Sequence, residues 1–97
     1  MRCQKLFEKG CIGGVEIRNR VAMTAMGNGL ASWDGEVSLE LIRFYEDRAR
    51  GGCGLIFTEF TRMDETSGAC NPNQLCIATR KHIRSTERVR CHGARIF

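Results

Sequence analysis

The feature that most restricts this chain is the junction at residues 38–58, where an amphipathic helix pattern runs directly into an unbroken apolar stretch. Ser38 is a good N-cap, and Glu40 places negative charge in the first turn. Leu41, Ile42, Tyr45 and Ala49 then recur at three- and four-residue steps, with Arg43–Asp47 and Glu46–Arg50 as i,i+4 pairs on the opposite side. Gly51-Gly52 supplies a left-handed stop. The spacing predicts a helix over Ser38 to Arg50. Gly54-Leu-Ile-Phe-Thr58 follows at once, and its lack of alternation marks a strand covered on both faces.

Upstream, Arg20-Val-Ala-Met-Thr-Ala-Met26 is a compact apolar run closed by Gly27-Asn28-Gly29, the pattern of a first core strand giving way to a loop. Strand, helix and strand make a βαβ unit with parallel strands. Cys11 to Asn19 alternates weakly around Gly13-Gly14, which predicts a short β-hairpin ahead of the unit. Downstream, a long polar loop is expected from Thr61 to about Thr79, through Asn71-Pro72-Asn73. A weak helix over about Arg84 to Cys91 is expected to end at Gly93, and Ala94-Arg-Ile-Phe97 opens a third strand.

Core strands thus begin near Val21, Gly54 and Ala94, at intervals of about 33 and 40 residues, close to the repeat of a barrel with eight units in roughly 250 residues. The expected fold class is α/β: about two and a half β/α units, the amino-terminal portion of a TIM (β/α)8 barrel, preceded by a β-hairpin. Residues 1–97 are expected to form one partial barrel domain, truncated at its third strand. Three parallel strands leave two open edges, and a chain this short buries only about 60–65% of the surface it exposes when unfolded. On its own it is expected to be aggregated or molten.

Composition narrows the class. With 42% hydrophobic and 27% charged residues, 11 glycines and one proline, collagen-like and disordered readings fail. No apolar run reaches the roughly 18–20 residues of a membrane span, and Met1 to Lys9 holds only Leu6 and Phe7 where a secretory signal carries its apolar stretch. A cytoplasmic chain with no membrane partner is expected. The net charge of +4 comes largely from Arg80, Lys81, Arg84, Arg88, Arg90 and Arg95, set against the single acid Glu87. This strip lacks the aromatic interleaving of a single-strand binder, so it reads as a solvated helix face rather than a nucleic-acid site. The six cysteines, Cys3, Cys11, Cys53, Cys70, Cys76 and Cys91, show none of the spacings typical of zinc ribbons or iron–sulfur runs. They are expected to be reduced thiols, and no metal site is assigned.

Barrel active sites sit on the loops that follow strands. Here those are Thr24 to Gly29 and Glu59-Phe60, where backbone N–H and C=O groups can meet the polar edge of a ligand and Met26 offers a soft apolar contact.

Lys5-Leu-Phe-Glu8, Val15-Glu-Ile-Arg-Asn-Arg-Val21, Met23-Thr-Ala-Met26, Leu30-Ala31 with Asp34-Gly35, Tyr45-Glu-Asp-Arg-Ala-Arg-Gly-Gly52 and Gly54-Leu-Ile-Phe-Thr-Glu59 fall in one order. Asn73-Gln-Leu75, His82-Ile83 and His92-Gly-Ala-Arg-Ile-Phe97 continue it. Together they resemble the old yellow enzyme family, in the NADH:flavin oxidoreductase branch that includes dienoyl-CoA and enoate reductases. The resemblance implies a (β/α)8 barrel holding FMN at the carboxyl ends of its strands. It implies hydride transfer from NADH or NADPH, through FMN, to the activated C=C of an unsaturated carbonyl compound.

The family's flavin contacts carry over onto Thr24, Ala25, Met26, Gly27 and Phe60. Ala25 stands where proline is usual, and Gly27 where a threonine or cysteine often tunes the flavin. Phe60 takes a small residue's place, where its ring is expected to crowd the cofactor. The family's carbonyl-binding pair, tyrosine acid and phosphate loops belong to later strands, so no catalytic residue is assigned here. His82 and His92 lie by pattern on or beside the helix, away from the strand ends. Two functions follow: an FMN-dependent oxidoreductase for which this chain supplies part of the flavin wall and is inactive alone, or a non-catalytic remnant or assembly module that pairs through exposed strand edges.

Overall fold

The computed structural model describes residues 3–64, 73–89 and 93–96. A short helix α1 (Gln4–Phe7) leads into an antiparallel hairpin of β1 (Gly10–Ile12) and β2 (Val15–Ile17), with Cys11 opposite Glu16 and Gly13 at φ 58° in the turn. The expected hairpin is therefore present.

Three strands then form one parallel sheet in the order β3 (Ala22–Met23), β4 (Leu55–Ile56), β7 (Arg95–Ile96). Ala22 pairs with Leu55 and Met23 with Ile56, while Leu55 and Ile56 pair on their other side with Arg95 and Ile96. Leu55 and Ile56 are buried, as the unbroken apolar run required, but Phe57 of that run is exposed. So are Ala22 and Met26 of the first expected core strand, which among the described residues is an edge of the sheet. Phe97, the last residue of the expected third strand, lies outside the described residues.

Helix α2 (Leu39–Arg50) connects β3 to β4. The Ser38 hydroxyl accepts from the Leu41 N–H at 3.1 Å and donates to the Leu30 carbonyl, which fixes both the first turn and the approaching loop. Leu41, Tyr45 and Ala49 are fully buried and Ile42 nearly so. Burying each large apolar side chain contributes about 1.5–3 kcal/mol before entropy is counted. Glu46 and Arg50 pair at 3.9 Å, Arg43 and Asp47 form no ion pair, and the Arg48 guanidinium instead lies 3.7 Å from the centre of the Phe44 ring. Gly52, at φ 114°, turns the chain out of the helix.

The helix end is fastened to the segment entering β3. Arg18 donates from one guanidinium nitrogen to the carbonyls of Ala49 and Cys53, the latter at 2.7 Å. Asn19 donates to the Gly52 carbonyl at 2.6 Å, and the Gly54 N–H reaches the Val21 carbonyl at 2.9 Å. The core lies between α2 and the sheet, where Ala31, Val37, Leu75 and Ala94 join the buried face of α2 and Ile56.

Two expectations need correction. Part of the long polar loop is ordered into a ladder, with β5 (Thr61–Arg62) parallel to β6 (Leu75–Cys76) and Leu75 and Cys76 buried. Residues 65–72, including Asn71 and Pro72, lie outside the described residues. The weak helix spans Arg80–Thr86 (α3), starting four residues before the expected Arg84, and Cys91 at its expected end is also outside the described residues. Its start is set by polar capping rather than by an apolar stripe. The Nδ1 of His82 accepts from the Thr79 N–H at 3.2 Å and lies 3.0 Å from the Thr79 hydroxyl. With Nδ1 an acceptor, Nε2 carries the proton and donates to the Asp34 carbonyl at 2.8 Å. Ser85 accepts from the Val37 N–H at 3.1 Å. Arg80, Lys81, Arg84 and Arg88 are exposed, though Lys81 pairs with Asp34 and Glu36 and Arg88 reaches the Val37 carbonyl at 3.5 Å.

Candidate functional site

The carboxyl ends of β3 and β4 lie side by side, because the two strands are parallel neighbours and the Phe57 N–H reaches the Met23 carbonyl at 3.0 Å. Beyond that bond the two exits are joined by Glu59, whose carboxylate is buried. Its Oε2 accepts from the Asn28 N–H at 3.0 Å and its Oε1 from the Leu75 N–H at 3.3 Å, while its own N–H donates to the Tyr45 hydroxyl at 2.9 Å. One side chain thus ties the exits of β3 and β4 to the start of β6 and to α2. Buried and engaged at both oxygens, it holds loops rather than presenting a base to a ligand.

Tyr45 stands on the packed face of α2, as its spacing required. Burial pushes its hydroxyl above the ordinary tyrosine value of 10.0, against the pull of the Glu59 N–H, and the Glu59 carboxylate and the Asn28 side chain add smaller, opposed effects. Below the sheet exit, Lys81 donates to Asp34 at 3.0 Å and lies 3.8 Å from Glu36. The Lys81 hydrogen bond holds the Asp34 carboxyl below its ordinary value, and the same bond raises Lys81. This pair braces α3 and takes no part in the strand-end surface.

All five sequence-assigned residues fall on this surface. Thr24, Ala25, Met26 and Gly27 are exposed in succession at the exit of β3, and Phe60 is exposed at the exit of β4. Among the described residues, none donates to or accepts from the main chain of Thr24 to Gly27. Four consecutive peptide units therefore keep their N–H and C=O groups available to a ligand. Gly27 and Phe60 are brought into direct contact: a Cβ placed on Gly27 would overlap the Phe60 Cε1 and lie 2.5 Å from Cζ. The Cε1–Cζ edge of the Phe60 ring lies against that glycine. An exposed main-chain shelf with an aromatic ring at its side fits a flat heterocycle with a polar edge, such as a flavin.

Reading the sequence missed the roles of Glu59 and Asn28. Glu59 carried one signal, a carboxylate closing an apolar strand run. Among the described residues, clefts of about 380 and 270 Å³ are lined chiefly by α3, and one of about 470 Å³ by residues of the hairpin region and the segment around Arg95. Among the described residues no group of His, Cys, Asp or Glu is arranged to hold a metal ion, and no helix is long and apolar enough to cross a membrane.

Comparison with known proteins decides the family. Residues 5–97 match the model of the NADH:flavin oxidoreductase / NADH oxidase family. The chain belongs to that family. The family's description carries NADH and a flavin, as the sequence resemblance implied. The chain is 42% identical over 96 residues to an NADH oxidase of Thermoanaerobacter brockii, a match covering 95% of this chain and 15% of that protein. It is 36% identical over 102 residues to a cinnamate reductase of Clostridium sporogenes, again covering 95% and 15%. It therefore spans about 15% of the length of these curated relatives. Among solved structures, the old yellow enzyme homologue of Zymomonas mobilis superposes with a TM-score of 0.82 at 26% identity, covering 96% of this chain and 26% of that one. A 2-naphthoyl-CoA reductase complex gives 0.86 at 20% identity, covering 95% and 14%, a likeness of fold alone.

Proposed function

We propose that these 97 residues supply one wall of the FMN site in an oxidoreductase that passes hydride from NADH or NADPH to the activated C=C of an unsaturated carbonyl compound. In this reading β3, β4 and β7 are three neighbouring strands of a (β/α)8 barrel, the amino-terminal two and a half β/α units of one domain. The observation that carries it is the run Thr24-Ala-Met-Gly27, exposed at a strand exit with its main-chain groups unspent and Phe60 beside it.

FMN, when bound, supplies the hydride chemistry. The protein's part here is positional. The main-chain N–H and C=O groups of Thr24 to Gly27 meet the ring's polar edge and Met26 offers an apolar contact. Phe60, expected from the sequence to crowd the cofactor, is read instead as an aromatic face at the side of the shelf, because its ring edge rests on Gly27. Glu59, through Asn28 and Tyr45, keeps the two exits in register. A relative named for cinnamate supports a conjugated acid as the substrate class. Nothing between Met1 and Phe97 is assigned as a proton donor, so hydride transfer to substrate needs groups beyond those described.

A second reading rests on the sheet itself, since among the described residues β3 and β7 are edges with one neighbour each. Such edges pair with other strands, which suits an assembly module. Fluorescence titration with FMN, run beside analytical ultracentrifugation, separates the two. Saturable quenching is expected of the folded polypeptide that carries this sequence, and the 97 residues alone should give no reduction of an unsaturated ketone above the rate of free flavin. Absence of FMN binding together with concentration-dependent association would favour the second reading.

A further inference from the structure

Gly27 has no backbone reason to be glycine. Its φ is not in the left-handed region that Gly13, Gly29, Gly35, Gly52 and Gly93 occupy, so any L-residue fits its conformation. What a side chain at position 27 would meet is the far edge of the Phe60 ring, which must swing aside to admit it. Phe60, in turn, is not a core residue, being 42% exposed. Its ring meets the glycine through the Cε1–Cζ edge and is otherwise partly exposed. Nor are the two residues free to separate. The bond from the Asn28 N–H to the Glu59 carboxylate joins their immediate neighbours, and the Glu59 N–H anchors the second exit to Tyr45.

We propose that Gly27 and Phe60 are a size-exchange pair that determines ligand specificity: the phenyl ring from the second strand exit replaces a side chain from the first as the aromatic wall of the ligand shelf. The inference rests on the flavin reading above for the identity of the ligand, but the pairing rests on contact alone. A planar conjugated ring system stacks on the open face of Phe60, whereas any side chain added at position 27 drives the ring outward, into the space the ligand needs.

The test is a double-mutant cycle of Gly27→Thr and Phe60→Ala in the full polypeptide that carries this sequence, read by thermal midpoint and by the FMN dissociation constant. Gly27→Thr is expected to lower the midpoint and weaken FMN about thirtyfold, and Phe60→Ala to weaken it about fivefold through lost stacking. Adding Gly27→Thr to Phe60→Ala should then cost nothing further in either measurement. Should the threonine variant not fold, Gly27→Ala is expected to give the same signs at smaller size. Additive losses in the double variant would overturn the pair, even with FMN bound normally by the parent. A non-additive midpoint cycle in a parent that binds no FMN would uphold the contact and refute the flavin reading instead.

Discussion

Helix α2 turns four side chains, Leu41, Ile42, Tyr45 and Ala49, into the core, whereas α3 buries only His82 and Ser85. The first is held by apolar burial, which has no direction and needs only the right period along the chain. The second is held by directed hydrogen bonds, His82 donating to the Asp34 carbonyl and Ser85 accepting from the Val37 N–H. Two helices in one small unit thus dock by different physics. Only the first kind leaves a trace in hydrophobic spacing.

The contrast breaks most readily at Leu41. Leu41→Ala removes a fully buried side chain from the α2 face, and the cavity should cost about 3 kcal/mol. Denaturant unfolding of the folded polypeptide checks this, and a loss below about 1 kcal/mol would mean that α2 does not depend on apolar burial. His82→Leu is the matching test on α3. It keeps an apolar volume but leaves the Asp34 carbonyl and the Thr79 N–H without partners, for an expected loss of about 2 kcal/mol. A neutral or stabilising result would show that α3 too is docked by burial.

Tyr45→Phe sharpens the comparison, because Tyr45 carries both kinds of interaction on one ring. Losing the hydroxyl that accepts from Glu59 should cost about 1 kcal/mol at neutral pH. The pH dependence has a definite sign. Burial raises the hydroxyl above 10.0, so the unfolded chain gives up that proton first as pH rises. The stability held by the neutral hydroxyl is whole below pH 10.0 and is lost as pH climbs through the higher folded value. Phenylalanine should remove that part of the alkaline decline, so the parent and variant melting points should converge as pH rises beyond 10.0. Parallel alkaline curves would place the hydroxyl in solvent.

The same division explains what could be read from the sequence. The hairpin, α2 and the parallel strands were legible because glycine pairs and apolar runs encode them locally. The two strand exits were legible as places, because each apolar run ends at a defined residue. The start of α3 was not, since it depends on Thr79 and His82 meeting a carbonyl 48 residues away from His82. Glu59 was passed over for a related reason: its partners, the N–H groups of Asn28 and Leu75, stand 31 and 16 residues off in sequence. Gly27 and Phe60 were each visible as departures from the family's pattern, but only the folded chain puts one against the other.

The anchoring of α2 by Arg18 and Asn19 bears on how the unit assembles. The carbonyls they engage at Ala49, Gly52 and Cys53 lie 31 to 35 residues downstream. The last turn of α2 therefore gains these partners only when the chain ahead of β3 has already arrived. The helix end, the glycine turn and the first strand pair then close as one event, and fraying at any of the three opens the others. Residues 18–55 are thus tied together by a hydrogen-bonded knot at the foot of the sheet, at the opposite end of the strands from their exits.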